Sequence, residues 1–273
     1  MKFENIRVYN FEHALRGMRH PKESYHLIDS HFGLGTFEES QDIINDVAFD
    51  WAVKDKDYDN ITNEEVDEYR HWLFNNAYIN QYGNYCEWAA IGPKDMNLAQ
   101  RLIKGGSEHR KFLRQIFVTV DITAPLFWWK EFDTYKVGTV ANSTSTMHKI
   151  TSKPITIDNF EIDDLDCDFE IGEHYNFTDF IHCDLIPVLE NLRLKYLETN
   201  DKKYWKELIR WLPEGWVQTR TITMNYENLL SMAHQREFHK LVEWSGKDPK
   251  QKSFINFVKT LPYADDLIFC LKD

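Results

Sequence analysis

The sequence predicts a single mixed α+β domain, and three observations predict it. Strand-like and helix-like stretches are interspersed along the chain without strict alternation. Hydrophobic residues make up 42% and aromatics 15% of the 273 residues, enough to bury one large core. Only 11 glycines and 8 prolines interrupt it, and no internal repeat or low-complexity linker divides it. The expected layout is one domain over residues 1–273, with a helical insertion at about 38–102 and an acidic connector at about 150–178.

The elements follow in order. Phe3 to Asn10 alternates as a strand, and "EHALRGM" reads as a short helix. "SYHLIDSHFGLGT" ends in a glycine pair that breaks any helix. Residues 38–102 read as helical throughout. Within them, Thr62 and Glu65 have the spacing of a capping box, ahead of Val66, Tyr69, Trp72 and Leu73 at helical spacing. Asp55, Asp57 and Asp59 superficially resemble a calcium loop, but that loop's Gly at the sixth position and acid at the twelfth are missing, so no calcium site is expected.

"KGGSEHRKFLRQ" (104–115) is a Gly-Gly break followed by a basic patch. A strand follows, in which Phe117, Thr119, Asp121 and Thr123 alternate with Ile116, Val118, Val120 and Ile122 until Pro125 stops it. Trp128 and Trp129 read as a packing pair, or else as a stacking wall for a ring. Between Asp158 and Glu170 lie seven acids and no base, the pattern of a solvated connector. Residues 179–212 read as two helices joined near "ETNDKKY". "WLPEGWVQTRTITMN" gives a helix end, a loop and a strand. "YENLLSMAHQREFHKLVEW" is an amphipathic helix, and "QKSFINFVKTLPYADDLIF" holds one more.

Composition excludes some functions. A net charge of −12 disfavours nucleic acid and anionic membrane as partners, while leaving room for a local basic pocket. No apolar run approaches the ~20 residues of a bilayer span, and the N-terminal stretch has no apolar leader core. Cys86, Cys167, Cys183 and Cys270 are widely spaced with no C-x-x-C, as for reduced thiols in a cytoplasmic protein. The phosphate-binding glycine motifs, the G-x-S-x-G elbow and H-E-x-x-H are absent from the sequence, and the histidines have no metal-ligand spacing, so no metal is expected.

Two segments, in order and at matching spacing, give a more specific signal. They are "IFVTVDITAPLFWWKEFDTYKVGTVANSTSTMHK" and "LPEGWVQTRTITMNYENLLSMAHQR". Together they resemble the flavin-dependent thymidylate synthase (thymidylate synthase complementing) family. That family shows a strand, a helix and Arg-His-Arg followed by Ser, and later Leu-Pro, a strand ending in Thr-x-Asn, a helix and Arg. "IRVYNFEHALRGM" looks like its first strand and helix, and "GGSEHRKFL" sits where it has a Gly-His-x-Ser/Thr element.

The resemblance covers about half of the chain. It implies the thymidylate synthase complementing fold, a mixed sheet with packed helices, assembled as a homotetramer. It further implies reductive methylation of dUMP or a related pyrimidine nucleotide, with FAD as cofactor and NADPH and methylenetetrahydrofolate as co-substrates. On this match Arg236 is the catalytic arginine that polarises the uracil ring. Lys111, Thr134, Tyr135, Lys136, Asn225, Glu227 and Ser231 fall on the cofactor side. Glu131, Asn142, Ser143, Thr144, Ser145, Thr146 and Arg210 fall on the substrate side.

The chain also departs from the family. Thr134-Tyr135-Lys136 replaces Arg-His-Arg, Glu227 replaces a basic residue and Ser231 replaces a common asparagine. The other reading is therefore a nucleotide- or flavin-binding protein on the same scaffold that modifies another nucleotide or acts without catalysis.

Overall fold

Strand alternation decides which residues of the stretch at 117–125 are buried. Val118, Val120, Ile122 and Ala124 are fully buried, while Phe117, Thr119, Asp121 and Thr123 retain solvent contact. The computed structural model describes residues 1–54, 61–82, 85–163, 165–248, 250 and 252–271. The calcium-like stretch at Asp55, Asp57 and Asp59 lies outside the described residues.

In chain order, β1 (Lys2–Tyr9) leads to α1 (Phe11–Arg19) and β2 (His31–Thr36). Helices α2 (Phe37–Lys54) and α3 (Asn63–Asn76) precede β3 (Tyr78–Tyr82), β4 (Tyr85–Ala90) and α4 (Pro93–Lys104). Then come β5 (Phe117–Pro125), α5 (Leu126–Phe132), β6 (Val140–Ser143) and α6 (Thr146–Lys149). After β7 (Glu170–Gly172) and β8 (Tyr175–Asn176) follow the single turn α7 (Phe177–Asp179), α8 (Ile186–Thr199) and α9 (Lys202–Arg210). β9 (Val217–Asn225) feeds α10 (Tyr226–Arg236), with α11 (Val242–Ser245), α12 (Phe254–Lys259) and α13 (Ala264–Leu267) beyond it. Among the described residues, no helix is long and apolar enough to cross a membrane.

The chain divides into two compact units. The first comprises Met1–Ile6, Thr119–Thr223 and Lys250–Ser253; the second comprises Arg7–Val118, Met224–Pro249 and Phe254–Asp273.

The first unit is built on a sheet of order β1-β5-β9-β6. Hydroxyl pairs Thr119–Thr223 (3.2 Å) and Thr123–Thr219 (2.7 Å) run in opposite sense along β5 and β9, so these strands are antiparallel. Pro125 precedes α5, whose Trp128, Trp129 and Phe132 are buried together. Trp128 stacks on Phe132 with centroids 5.1 Å apart and meets Trp129 edge-on at 4.9 Å. The packing reading of the tryptophan pair therefore holds. A second cluster joins Ile150, Ile155, Phe160, Leu189 and Leu208, tying α8 and α9 to the chain that precedes them. Between the buried Ile155 and Phe160 and the strand β7, the acids Asp158, Asp163, Asp166, Asp168 and Glu170 are exposed.

The second unit corrects one expectation. Residues 38–102 are not helical throughout, because β3 and β4 form an antiparallel sheet with β2, in the order β2-β4-β3. Tyr78, Ile79 and Trp88 favour a pleated surface, and pairing with β2 settles the choice. The glycine pair lies within β2 and has a packing reason: a Cβ on Gly33 would sit 2.2 Å from Trp88 Nε1. Trp88 packs with Ile44, Val47, Ala48 and Leu73 from α2 and α3. The capping box forms as expected, with Thr62 Oγ1 accepting from Glu65 N at 3.3 Å and Glu65 Oε2 accepting from Thr62 N at 3.2 Å.

Two reciprocal aspartates fix the start of α4. Asp29 accepts from the backbone N–H groups of Lys94 (2.8 Å) and Asp95 (3.0 Å). The fully buried Asp95 accepts in turn from Asp29 N, Ser30 N, Ser30 Oγ and Arg19 Nε, the last at 2.8 Å. Arg19 also donates to the carbonyl of Leu27. Residues 19–30 are thereby fastened to α4.

Candidate functional site

In the second unit, a cavity of about 980 Å³ opens between the end of α1, the residues just after it, α4 and the stretch at 105–115. Local sequence explains the shape. Gly106 has a φ of +96°, which favours glycine, and the turn there carries His109 N and Arg110 N back to the Gly106 carbonyl at 3.0 and 3.1 Å. The following residues then lie against α1.

The cavity is basic in an acidic protein. Arg19, Lys22, Arg101 and Lys111 line it together with His20 and His109, against the single acid Glu108. Arg19 is neutralised by Asp95, and Lys111 lies 3.3 Å from Glu108 in an exposed pair. Lys22 and Arg101 have no ion-pair partner among the described residues. Low-dielectric walls focus such a field onto an anion. Of the sequence candidates, Lys111 is the one that lines this cavity.

The other candidates of the second unit lie on or beside α10. Asn225 caps the helix, its Oδ1 accepting from Asn228 N at 3.0 Å, while Asn228 Oδ1 accepts from Asn225 N. Glu227 receives Arg110 Nε on both carboxylate oxygens, at 3.0 and 2.9 Å, with both side chains largely buried. Glu227 and Arg110 of the basic patch are thus one ion pair. Ser231 accepts weakly from Gln235 at 3.4 Å. The half-buried Arg236 holds its guanidinium 5.0 Å from the centre of the Trp244 ring.

In the first unit the hydroxyl run 142–146 is positioned by β9. Asn142 and Ser143 pair with Thr221 and Arg220. Thr144 N donates to Thr219 O at 2.9 Å, and Gln218 Nε2 donates to the Thr144 carbonyl at 2.8 Å and to Thr146 Oγ1 at 3.3 Å. Ser145 caps α6 by accepting from His148 N. Arg220 was missed by sequence reasoning. Its Nε donates to Gln218 Oε1 at 3.0 Å, its Nη1 to Asp133 at 2.6 Å, and its guanidinium stacks 4.2 Å over Trp129. The alternation of β9 was its available signal, since that places Gln218 and Arg220 on one face.

The replaced cationic motif follows α5 directly. Thr134 Oγ1 donates to the Glu131 carbonyl at 2.8 Å, Thr139 Oγ1 donates to the Tyr135 carbonyl, and Lys136 is exposed. Glu131 and Tyr135 are half-buried. Arg210, exposed at the end of α9, pairs with Glu207. The structure therefore gathers Asn142–Thr146 around Gln218 and Arg220, and leaves Arg210 bound within its own helix.

No protein-family model and no curated protein matches this chain. Among solved structures, the flavin-dependent thymidylate synthase ThyX from Helicobacter pylori complexed with FAD and dUMP is 15% identical, with a TM-score of 0.45. That likeness covers 89% of this chain and 97% of the other. A second Helicobacter pylori ThyX structure with FAD and dUMP is 17% identical over 67% of this chain and 85% of that one, with a TM-score of 0.46. Likenesses this distant carry no conclusion about the site.

Proposed function

We propose that this chain is a divergent flavin-dependent thymidylate synthase-like enzyme acting on dUMP or a related pyrimidine nucleotide. The observation that carries the reading is the basic cavity beside "GGSEHRKFL", at a place the sequence resemblance assigns to cofactor binding. FAD brings a pyrophosphate, which needs cations and N–H donors. Lys22, Arg101, Lys111, His20 and His109 form a donor set of that chemistry, and about 980 Å³ lies at the upper end of the volumes of small-molecule sites. When bound, the flavin would supply redox chemistry that none of these side chains provides.

In this reading Arg236 holds the pyrimidine ring, since a guanidinium stays charged and can offset negative charge developing on a carbonyl oxygen. The hydroxyls and backbone N–H groups of Asn142–Thr146, steadied by Gln218, are neutral donors suited to a phosphate. NADPH and methylenetetrahydrofolate complete the reaction as co-substrates, and the working assembly is a homotetramer.

One observation favours a second reading. Arg110 is neutralised by Glu227, and Thr134-Tyr135-Lys136 supplies a single cation where the family pattern has Arg-His-Arg. A protein that binds the nucleotide without standard methylation fits that reduced charge. Titration with FAD and dUMP, followed by complementation of a thymidine-requiring strain, separates the two. Flavin binding with rescue supports the enzyme, and flavin binding without rescue supports the second reading. Protein that stays colourless and ignores both ligands excludes the two together.

A further inference from the structure

A second cavity, of about 560 Å³, lies at the opposite end of α1 and has the opposite character. It is formed by Val8–His13, where β1 turns into α1, and by one face of the β2-β4-β3 sheet. The register defines that face. Leu34 lies opposite Glu87, while Phe32 and Tyr78 both lie opposite Ala89, so Phe32, Leu34, Tyr78, Glu87 and Ala89 share one side. The other side, with Trp88, packs on α2 and α3. Tyr78 is held in place because its hydroxyl accepts from Val8 N at 3.3 Å and its ring meets Phe11 edge-on at 6.2 Å.

The lining is aromatic and acidic. Tyr9, Phe11, Phe32 and Tyr78 supply ring faces and edges, Glu12 and Glu87 supply carboxyls, His13 supplies an imidazole, and among the described residues no lysine or arginine lines the cavity. Glu87 has no hydrogen-bond or ion-pair partner among the described residues. Burial pushes its carboxyl above the usual range, so a donor group entering the cavity would relieve a desolvated acceptor. Phosphate-bearing ligands are disfavoured here by the two acids and the missing cations, which separates this cavity from the basic one.

The geometry points to a second ligand site, one that takes an uncharged or cationic nitrogen heteroaromatic whose amino group donates to Glu87 while its ring packs on Phe32 and Tyr78. Nothing in the proposed nucleotide chemistry requires it, so it stands or falls independently of that reading.

The probe is 2-aminopurine, a fluorescent amino-bearing heteroaromatic, titrated into the full chain. The expected result is saturable quenching, as a ring stacks on aromatic walls. Glu87→Gln keeps the shape and weakens binding about tenfold, the scale of a charge-assisted hydrogen bond. Leu34→Lys, at a position 71% exposed and directly across from Glu87, places a cation against the carboxylate and weakens binding by a similar factor without touching the core. Lys111→Ala in the basic cavity leaves binding unchanged. Three outcomes overturn the proposal: no saturable quenching, quenching indifferent to both Glu87→Gln and Leu34→Lys, or quenching lost in Lys111→Ala.

Discussion

The Asp95 network lends itself to a quantitative test. Asp95→Ala removes the counter-charge of Arg19, which is 5% exposed, and the acceptor for Asp29 N, Ser30 N and Ser30 Oγ. Removing one member of a buried pair costs about 3–5 kcal/mol, because the surviving charge stays desolvated. The orphaned donors overlap with that figure rather than adding to it, so about 4 kcal/mol is the working value. Against a total stability of about 5–15 kcal/mol this is a large fraction. With a urea slope of about 2 kcal/mol/M, the midpoint should fall by about 2 M. Urea unfolding followed by tryptophan fluorescence measures it, with the slope required to stay constant. The double variant Arg19→Met with Asp95→Leu should recover much of the loss, since it leaves no unpaired charge behind. A midpoint for Asp95→Ala within about 0.3 M of the unaltered chain, at unchanged slope, would refute the reasoning.

Three other outcomes follow from the same structure. Burial pushes the Tyr263 phenol up to about 12, and burial raises Tyr226 as well. A phenol raised in the folded state contributes stability below its ordinary value of ~10, and that contribution is lost as pH rises through the folded value, because the unfolded chain ionises first. Tyr263 should cost about 3 kcal/mol across that window; a urea midpoint that stays flat to about pH 11 would contradict it. In the first unit, Trp128→Ala should cost about 3–5 kcal/mol by opening a cavity. Trp129→Phe should cost less, about 1–3 kcal/mol, for the smaller ring, the weakened stacking with Arg220 and the lost bond from Nε1 to the Gln218 carbonyl; equal losses in calorimetry would count against this assignment. Arg101→Ala should weaken pyrophosphate binding about fivefold by isothermal titration, and Lys136→Ala should leave it unchanged.

How much of this was legible in the sequence depended on the distance between cause and effect. The β5 alternation and the Thr62–Glu65 capping box are local patterns, and both formed as read. The strands at 78–82 and 85–90 read as helix in the sequence because short aromatic and apolar runs fit either period. Their conformation is set by β2, a partner far earlier in the chain, and Gly33 makes sense only once Trp88 lies across it. The same holds for charge. The basic patch at 104–115 was visible, but Lys22 and Arg101 join it through packing of α1 and α4, and no motif spacing encodes that. Glu227 reads in the sequence as a lost cation, yet Arg110 binds both its oxygens.

These pairings change where anion-binding capacity resides. Cations beside the replaced motif are few, and the best placed is committed: Arg220 is held by Asp133, Gln218 and Trp129. Arg110 is neutralised by Glu227, and Arg210 by Glu207. Lys22 and Arg101, which have no ion-pair partner among the described residues, instead line one cavity together. A paired guanidinium can still orient a ligand through its remaining N–H groups, but it adds little net field. Phosphate affinity should therefore come chiefly from the cavity, while the hydroxyl run at Asn142–Thr146 contributes geometry through neutral donors. That division predicts a steep salt dependence for pyrophosphate binding and a shallow one for any ligand gripped by the hydroxyl run alone.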